Sequence, residues 1–314
     1  MQYADNVVMH TTLKTLTKTT RTIPGQRGFS IVEAIIILVV LAGLCLVGYG
    51  VFLRDKGDDV QKDTASVTQQ PAAKEAVSDS NVTWENTGEG GWIALNGTPP
   101  ACPDPFMINT PSDISKATSV LYPGQERQGG TFTGAGGSYK PHGAFRFDGL
   151  KNNEVDVESP IDGYVYRGSQ YLVEGEMQYT FDLIHPCGFM VRLGHLRALS
   201  DTFQGYADKF PAAQEGDSRT ERVTPISRVK AGDLIATSAG LDETNTFFDL
   251  GIYDLRKKNK ISQTSAYQQA HADNKELAWH AVCWFDMLPS KDAGRVKSLP
   301  AGDPVSGKKS DYCT

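Results

Sequence analysis

The sequence predicts an α+β protein with one long apolar N-terminal helix, a flexible polar tether and a mainly antiparallel, sandwich-like β region. Residues 29–53 form the only long apolar run of the chain, and about 20 apolar residues suffice for a helix to cross a bilayer. Residues 54–83 are polar and lack apolar periodicity. From 140 to 256, short apolar runs alternate with turn residues, which is typical of antiparallel strands.

These patterns divide the 314 residues into six segments. They are a leader (1–28), the apolar helix (29–53), the tether (54–83), an irregular segment with short strands covering one side of the β region (84–139), the β domain (140–256) and a C-terminal extension (257–314). Within the last two segments we expect a polar surface loop at 201–224, a short helix at 265–277, and a tail on the surface from about 289.

Charge predicts the orientation of the apolar helix. The leader carries Lys14, Lys18, Arg21 and Arg27 against a single acid, Asp5, so it is expected to stay in the cytoplasm while the residues after about 53 are exported. A cleavable secretory signal is the alternative, but the apolar run is longer than a usual signal core and no A-x-A site follows it. We therefore expect a single-pass protein of the inner (cytoplasmic) membrane whose C-terminal part reaches the cell surface.

The formal net charge of −6 comes without a basic face, so nucleic acid is not an expected partner. No segment has the pattern of a glycine-rich phosphate loop, a serine triad or a nucleotide site. The functional classes left open are therefore structural and interaction proteins, and hydrolases that do not use a serine triad.

Residues 21–53 resemble the class III signal of type IV pilins and pseudopilins. The resemblance rests on Arg27 and Gly28, then Phe29, then Glu33 inside the apolar run. It implies cleavage after Gly28 by a prepilin peptidase, methylation of the new N-terminus at Phe29, and a filament role for Glu33, which would face the terminal amine of a neighbouring subunit. A carboxylate in a membrane helix is costly without such a partner. The alternative is a plain membrane anchor.

Five cysteines remain to be placed. Cys45 lies in the apolar helix, whereas four lie in the part expected to be exported, where two disulfides with three possible connectivities are reasonable. Many pilins close a C-terminal loop with a disulfide. This resemblance implies a Cys283–Cys313 bond and, by remainder, Cys102–Cys187, while free buried thiols are the alternative.

Residues 141–254 resemble the lysostaphin-like zinc metallopeptidases, which cut peptidoglycan cross-links. Four segments carry this resemblance: Pro141-His142 with Asp148, the segment 157–165 with its Asp-Gly turn, the strand pair 184–196, and the hairpin 229–240. The resemblance implies a β domain of that family and a site where a metal ion activates water.

The expected site departs from the family's pattern. The resemblance implies a zinc ligand at His142, another at Asp148 and a third at the position of Asp249, with His195 handling protons. However, Asp249 stands where the family has a ligating histidine, Phe247 replaces an assisting histidine, and five residues rather than three separate His142 from Asp148. Zinc or another divalent metal can bind one imidazole and two carboxylates. Alternatively no cofactor binds and the domain is inactive, which we favour.

Three functional hypotheses follow. The favoured one is a minor or specialised pilin-like subunit that displays an inactive peptidase-like domain, with prepilin peptidase, other pilin subunits, the membrane and peptidoglycan as partners. The second is a membrane-tethered peptidoglycan metalloendopeptidase, and the third is a wall-binding anchor outside any pilus. We expect His185 to be structural and assign no role to His271 or His280.

Overall fold

The computed structural model describes residues 80–127 and 138–313. Thirteen strands lie in these residues. They are β1 (Thr83–Asn86), β2 (Trp92–Leu95), β3 (Ser119–Leu121), β4 (Gln125–Arg127), β5 (Ser138–Lys140), β6 (Gly143–Arg146), β7 (Val157–Glu158), β8 (Gly163–Val173), β9 (Glu176–His185), β10 (Phe189–Leu196), β11 (Glu221–Val229), β12 (Leu234–Ala236) and β13 (Phe247–Asp254). The α-helices there are α1 (Asp201–Ala207), α2 (Ser265–Ala270), α3 (Lys275–Ala278) and α4 (Ser290–Ser298).

Seven strands form one antiparallel sheet in the order β11-β8-β9-β10-β13-β6-β3. Three further two-stranded sheets pair β1 with β2, β7 with β12, and β4 with β5. The prediction of a mainly antiparallel β region is therefore confirmed. Within the described residues, however, the long strands share one wide sheet instead of dividing between two sheets of similar size.

Apolar side chains at every second position bury both faces of this sheet. On one face Phe145, Phe181, Leu193, Phe248 and Leu250 belong to the main core. The residues between them point to the other face, because side chains alternate along a strand. There a smaller core collects aromatic and aliphatic side chains from the sheet and from the β1–β2 hairpin, namely Trp84, Trp92, Tyr164, Ile184, Met190 and Tyr253.

Three predictions about the surroundings of the sheet were wrong in part. The expected surface loop 201–224 contains α1, whose Phe203 is buried in the main core, and the start of β11. The segment 84–139 was expected only to cover one side of the β domain, but its strand β3 is an edge strand of the seven-stranded sheet. The tail is not confined to the surface, since Val296 and Leu299 enter the main core. In each case a few apolar residues in a polar segment were enough to anchor it.

The expected helix at 265–277 is divided into α2, a 3-10 turn at Ala272–Asn274, and α3.

Two disulfides hold the outer segments. Cys102 is bonded to Cys187, and Cys283 to Cys313. These are the pairs that the pilin resemblance led us to expect, and they fit a protein that matures in an oxidising compartment.

No helix within 80–127 and 138–313 combines the length and the hydropathy needed to cross a membrane. The leader, the apolar run 29–53, Cys45 and nearly all of the tether lie outside the described residues.

Candidate functional site

Two histidines and one aspartate meet in the middle of the seven-stranded sheet. His142 immediately precedes β6, Asp249 lies on β13 and His195 lies on β10, and β13 runs between the other two strands. The Oδ2 atom of Asp249 is 3.0 Å from Nε2 of His142 and 3.6 Å from Nε2 of His195. The side chain of Asp249 is 11% exposed, so its charge is balanced inside the protein rather than by bulk water.

Glycine makes room for this cluster. Gly194 lies opposite Asp249 in the β10–β13 register. A Cβ at Gly194 would stand 3.3 Å from both Asp249 Cβ and Thr180 Oγ1, which is tighter than most contacts in a packed interior. The next residue, His195, has a φ of 57° at an irregularity in the β9–β10 pairing. Such a backbone is uncommon for a residue other than glycine and is often found at functional sites.

A row of polar side chains continues the cluster across β9 and β8. Gln178 donates from Nε2 to the carbonyl of Gly240, which leaves its Oε1 facing Nδ1 of His195 at 3.2 Å. Thr180 Oγ1 lies 3.4 Å from the hydroxyl of Tyr171. Burial raises the pKa of Tyr171 to about 12, and the charge of Asp249 acts in the same direction. The Tyr171 phenol therefore stays neutral over the physiological range.

Aromatic packing closes one side of His195. The ring of Phe247 lies 4.6 Å from the His195 ring, between centroids, and is itself 9% exposed. The guanidinium of Arg146 is 5.9 Å from the centre of the Phe247 ring. Where the lysostaphin-like pattern has a histidine to assist the attacking water, this chain has a buried hydrocarbon ring that cannot accept a proton.

Asp148, expected as a metal ligand, is placed differently. Its carboxylate accepts a hydrogen bond from Arg146 at 2.8 Å and one from the Thr118 hydroxyl at 2.9 Å. Burial acts to raise the pKa of Asp148, but these hydrogen bonds outweigh it and lower the pKa. Because the spacer from His142 includes all of β6, Asp148 falls beyond the far end of that strand. The proposed set of His142, Asp148 and Asp249 is therefore not brought together.

Among the described residues no group of three or more His, Cys, Asp and Glu side chains is arranged to hold a metal ion. What the arrangement offers is a cluster of one carboxylate and two imidazoles. A carboxylate accepts hydrogen bonds and a neutral imidazole can donate and accept, so the cluster can exchange polar contacts with a ligand.

Of the other three histidines in the described residues, His185 and His280 have structural surroundings. His185 is buried and accepts a hydrogen bond at Nδ1 from the backbone N–H of Cys187, in agreement with the structural role expected for it. His280 is buried with its ring nitrogens against the backbone carbonyls of Gly90, Asp254 and Lys257. His271 packs against the ring of Tyr139. The proposed processing and assembly residues Gly28, Phe29 and Glu33 lie outside the described residues.

Sequence reasoning missed the contribution of Gln178, Thr180 and Tyr171. A signal was present, because Gln178, Thr180 and Asp182 alternate with apolar residues along β9 and all three are buried. Polar residues with a period of two in a buried strand indicate a polar row on one face of the sheet. The pattern does not say which of them meet His195.

Comparison of the chain with protein-family models, with curated proteins and with solved structures found no match. The resemblances to type IV pilins and to lysostaphin-like peptidases therefore rest on the residues quoted for them.

Proposed function

We propose that this chain is a minor or specialised type IV pilin-like subunit that displays an exported, catalytically inactive peptidase-like β domain. The domain would serve filament assembly or binding at the cell wall or cell surface. The observation that carries the proposal is the step from Arg27-Gly28 to Phe29, followed by Glu33 inside an unbroken apolar run. A membrane anchor alone has no need for a buried carboxylate.

Two features of the β domain support an exported, non-catalytic role. The disulfides Cys102–Cys187 and Cys283–Cys313 fit export to an oxidising compartment. Metal-assisted hydrolysis needs three protein ligands and an open position for water. Here Asp249 is engaged by His142, Asp148 by Arg146, and the assisting position is occupied by Phe247.

Processing provides the direct test. The full chain would be co-expressed with a prepilin peptidase and its mass measured, with Gly28→Val as the test variant and Gly25→Val as the matched control. We expect the wild type and Gly25→Val to lose residues 1–28 and to gain a methyl group on Phe29, and Gly28→Val to stay full length. An unshortened wild type, or cleavage that ignores the change at Gly28, would contradict the proposal.

Assembly distinguishes a pilin-like subunit from a wall-binding anchor outside any pilus. Glu33→Ala is expected to be processed and inserted normally but to be absent from sheared filaments, because the partner amine loses its counter-charge. Glu75→Ala, in the tether, is the control and should assemble as the wild type does. If Glu33→Ala assembles and localises normally, the anchor hypothesis replaces the pilin-like one.

Metal content distinguishes the competing enzyme hypothesis from the proposed inactive domain. A metalloendopeptidase would carry about one divalent metal per chain and lose it in Asp249→Ala, whereas the proposed inactive domain binds none. Elemental analysis of the purified full chain, together with an assay on cross-linked muropeptides, measures this. Stoichiometric metal with peptide cleavage would exclude the inactive domain.

A further inference from the structure

A second site, whose lining shares no residue with the histidine–aspartate cluster, lies between the β4–β5 pair and the C-terminal tail. A cavity of about 710 Å³ opens there. Its wall includes Gln125, Glu126, Tyr139, His271, Lys309 and Asp311. The volume falls in the range of cavities that hold small organic ligands, about 300–1,000 Å³. The tail side of the wall is held by the Cys283–Cys313 disulfide, because Cys313 is itself a lining residue.

Aromatic rings form a rigid part of this wall. The rings of Tyr139 and His271 pack with their centres 3.9 Å apart. The Tyr139 hydroxyl hydrogen-bonds with the hydroxyls of Tyr267 and Tyr312, and these two lie 2.5 Å from each other. Burial raises the pKa of Tyr139, so the phenol remains neutral. The rings are therefore fixed in place before any ligand arrives, which reduces the entropy cost of binding.

The wall around these rings contains both hydrogen-bond donors and acceptors. Gln125 is 5% exposed and donates from Nε2 to the carbonyls of Gly307 and Lys309, while its Oε1 accepts no hydrogen bond among the described residues. That oxygen has almost no accessible surface, so Gln125 supports the wall rather than offering an acceptor to the cavity. Burial raises the pKa of the Asp311 carboxyl. The carboxylates of Glu126 and Asp311 in this wall suit a partner that supplies N–H or O–H donors.

The charge of the lining restricts the ligand class. Lys308 and Lys309 are balanced by Glu126 and Asp311, so the cavity has no excess positive charge with which to select a phosphate or nucleotide. The largely polar wall does not suit an acyl chain. A sugar hydroxyl both donates and accepts, and the C–H face of a pyranose packs against fixed aromatic rings.

We propose that this cavity binds a hexose-based oligosaccharide. The ring pair of Tyr139 and His271 contacts the C–H face of one sugar unit, while Asp311, Glu126 and Lys309 exchange hydrogen bonds with its hydroxyl or acetamido groups. The lining of this cavity includes none of His142, His195 and Asp249, and binding there does not depend on processing at Gly28.

Calorimetric titration of the full chain tests the proposal, in a zwitterionic detergent whose headgroup contains no sugar. Chitotetraose stands for an N-acetylated wall glycan and maltotetraose for a neutral surface polysaccharide. We expect one of the two to bind with one site per chain. Preference for chitotetraose would identify the wall as the source, and preference for maltotetraose a surface polysaccharide.

Variants locate the binding site. Asp311→Asn and His271→Ala are each expected to weaken the preferred oligosaccharide at least tenfold. Glu243→Gln and Lys291→Ala, which are exposed and outside the cavity, should bind as the wild type does. Thermal unfolding of each variant provides the check on folding. The proposal is overturned if neither oligosaccharide binds, or if Asp311→Asn and His271→Ala remain folded and bind with unchanged affinity.

Discussion

Asp182 and Asp249 lie on the same face of the seven-stranded sheet but have different partners. Asp182 faces Arg192 across the β9–β10 pair, and Arg192 faces Gly251, two residues along β13 from Asp249. Asp182 accepts three hydrogen bonds of 2.7–2.8 Å from Arg167 and Arg192. Asp249 instead meets two imidazoles, at 3.0 and 3.6 Å.

The two aspartates differ in the kind of partner they have: Asp182 is held by two arginines, whereas Asp249 contacts two imidazoles. Arginine stays protonated at all accessible pH values. Burial alone would raise the pKa of Asp182, yet Arg192 and Arg167 outweigh it and lower the pKa. Asp182 is therefore a fixed ion. The partners of Asp249 are imidazoles, which can donate and accept hydrogen bonds, so a site able to exchange polar contacts with a ligand lies beside a fixed ion pair.

The largest expected effect is the loss of the fixed ion. Asp182→Asn would remove the carboxylate that Arg192 contacts and would leave Arg167 with Glu276 alone, at 3.0 Å, which costs about 3–5 kcal/mol of unfolding free energy. Denaturant unfolding of the full chain at neutral pH measures the loss. The exposed Asp273→Asn is the control and should change stability little. A loss below about 1 kcal/mol for Asp182→Asn would show that the two aspartates do not differ in the way described.

Next in size is a pH effect that originates outside both aspartates, at His185. Burial lowers the pKa of His185 from 6.5 to about 4, so the folded state favours the neutral ring. Its contribution is complete above pH 6.5 and is lost as pH falls towards 4, when only the unfolded chain takes up the proton. The loss amounts to about 3 kcal/mol.

Stability measured between pH 4 and pH 7 in His185→Asn checks this effect, because the Asn side chain can still accept from the Cys187 N–H but does not titrate. The variant should have a flatter pH profile than the wild type. Asp182, whose pKa is lowered below 3.8, loses its contribution only in more acidic solution. An unchanged profile in His185→Asn would show that His185 does not carry the pH dependence.

A smaller effect is expected at the histidine–aspartate cluster around Asp249. In a double-mutant cycle with Asp249→Asn and His142→Gln, we expect a coupling free energy of about 2 kcal/mol, the range of a hydrogen bond to a charged group. The same cycle with Asp249→Asn and His195→Gln should give a smaller coupling, because the two atoms are 3.6 Å apart rather than 3.0 Å. Equal couplings would mean that Asp249 is shared evenly by the two histidines.

The smallest effect is expected at Asp148. This aspartate is paired with Arg146 at 2.8 Å, but its side chain is 53% exposed, and exposed ion pairs contribute about 0–1 kcal/mol. Asp148→Asn should therefore lower the unfolding free energy by less than about 1 kcal/mol and leave the coupling between Asp249 and His142 unchanged. A change in that coupling free energy would show that Asp148 does interact with the histidine–aspartate cluster.

Local pattern was enough for the antiparallel strands of the β region, whereas His142, His195 and Asp249 were chosen from the resemblance to a peptidase family. Alternating apolar residues, as along Gln178–Ile184, mark a strand from its own composition. The same patterns missed the buried face of α1 and the entry of Val296 and Leu299 into the core. Those residues stand singly in polar segments, and their burial depends on distant contacts.

The sequence by itself determined which side chains could form a site, together with the apolar run that motivates the proposed assembly role of Glu33. Only the tertiary structure decided which candidates meet. The order of strands places β13 between β10 and β6, so Asp249 reaches both histidines, while Asp148 is carried past the end of β6 to Arg146. Strand order and register are long-range properties of the sheet. Two residues only six positions apart, such as His142 and Asp148, can therefore have different partners.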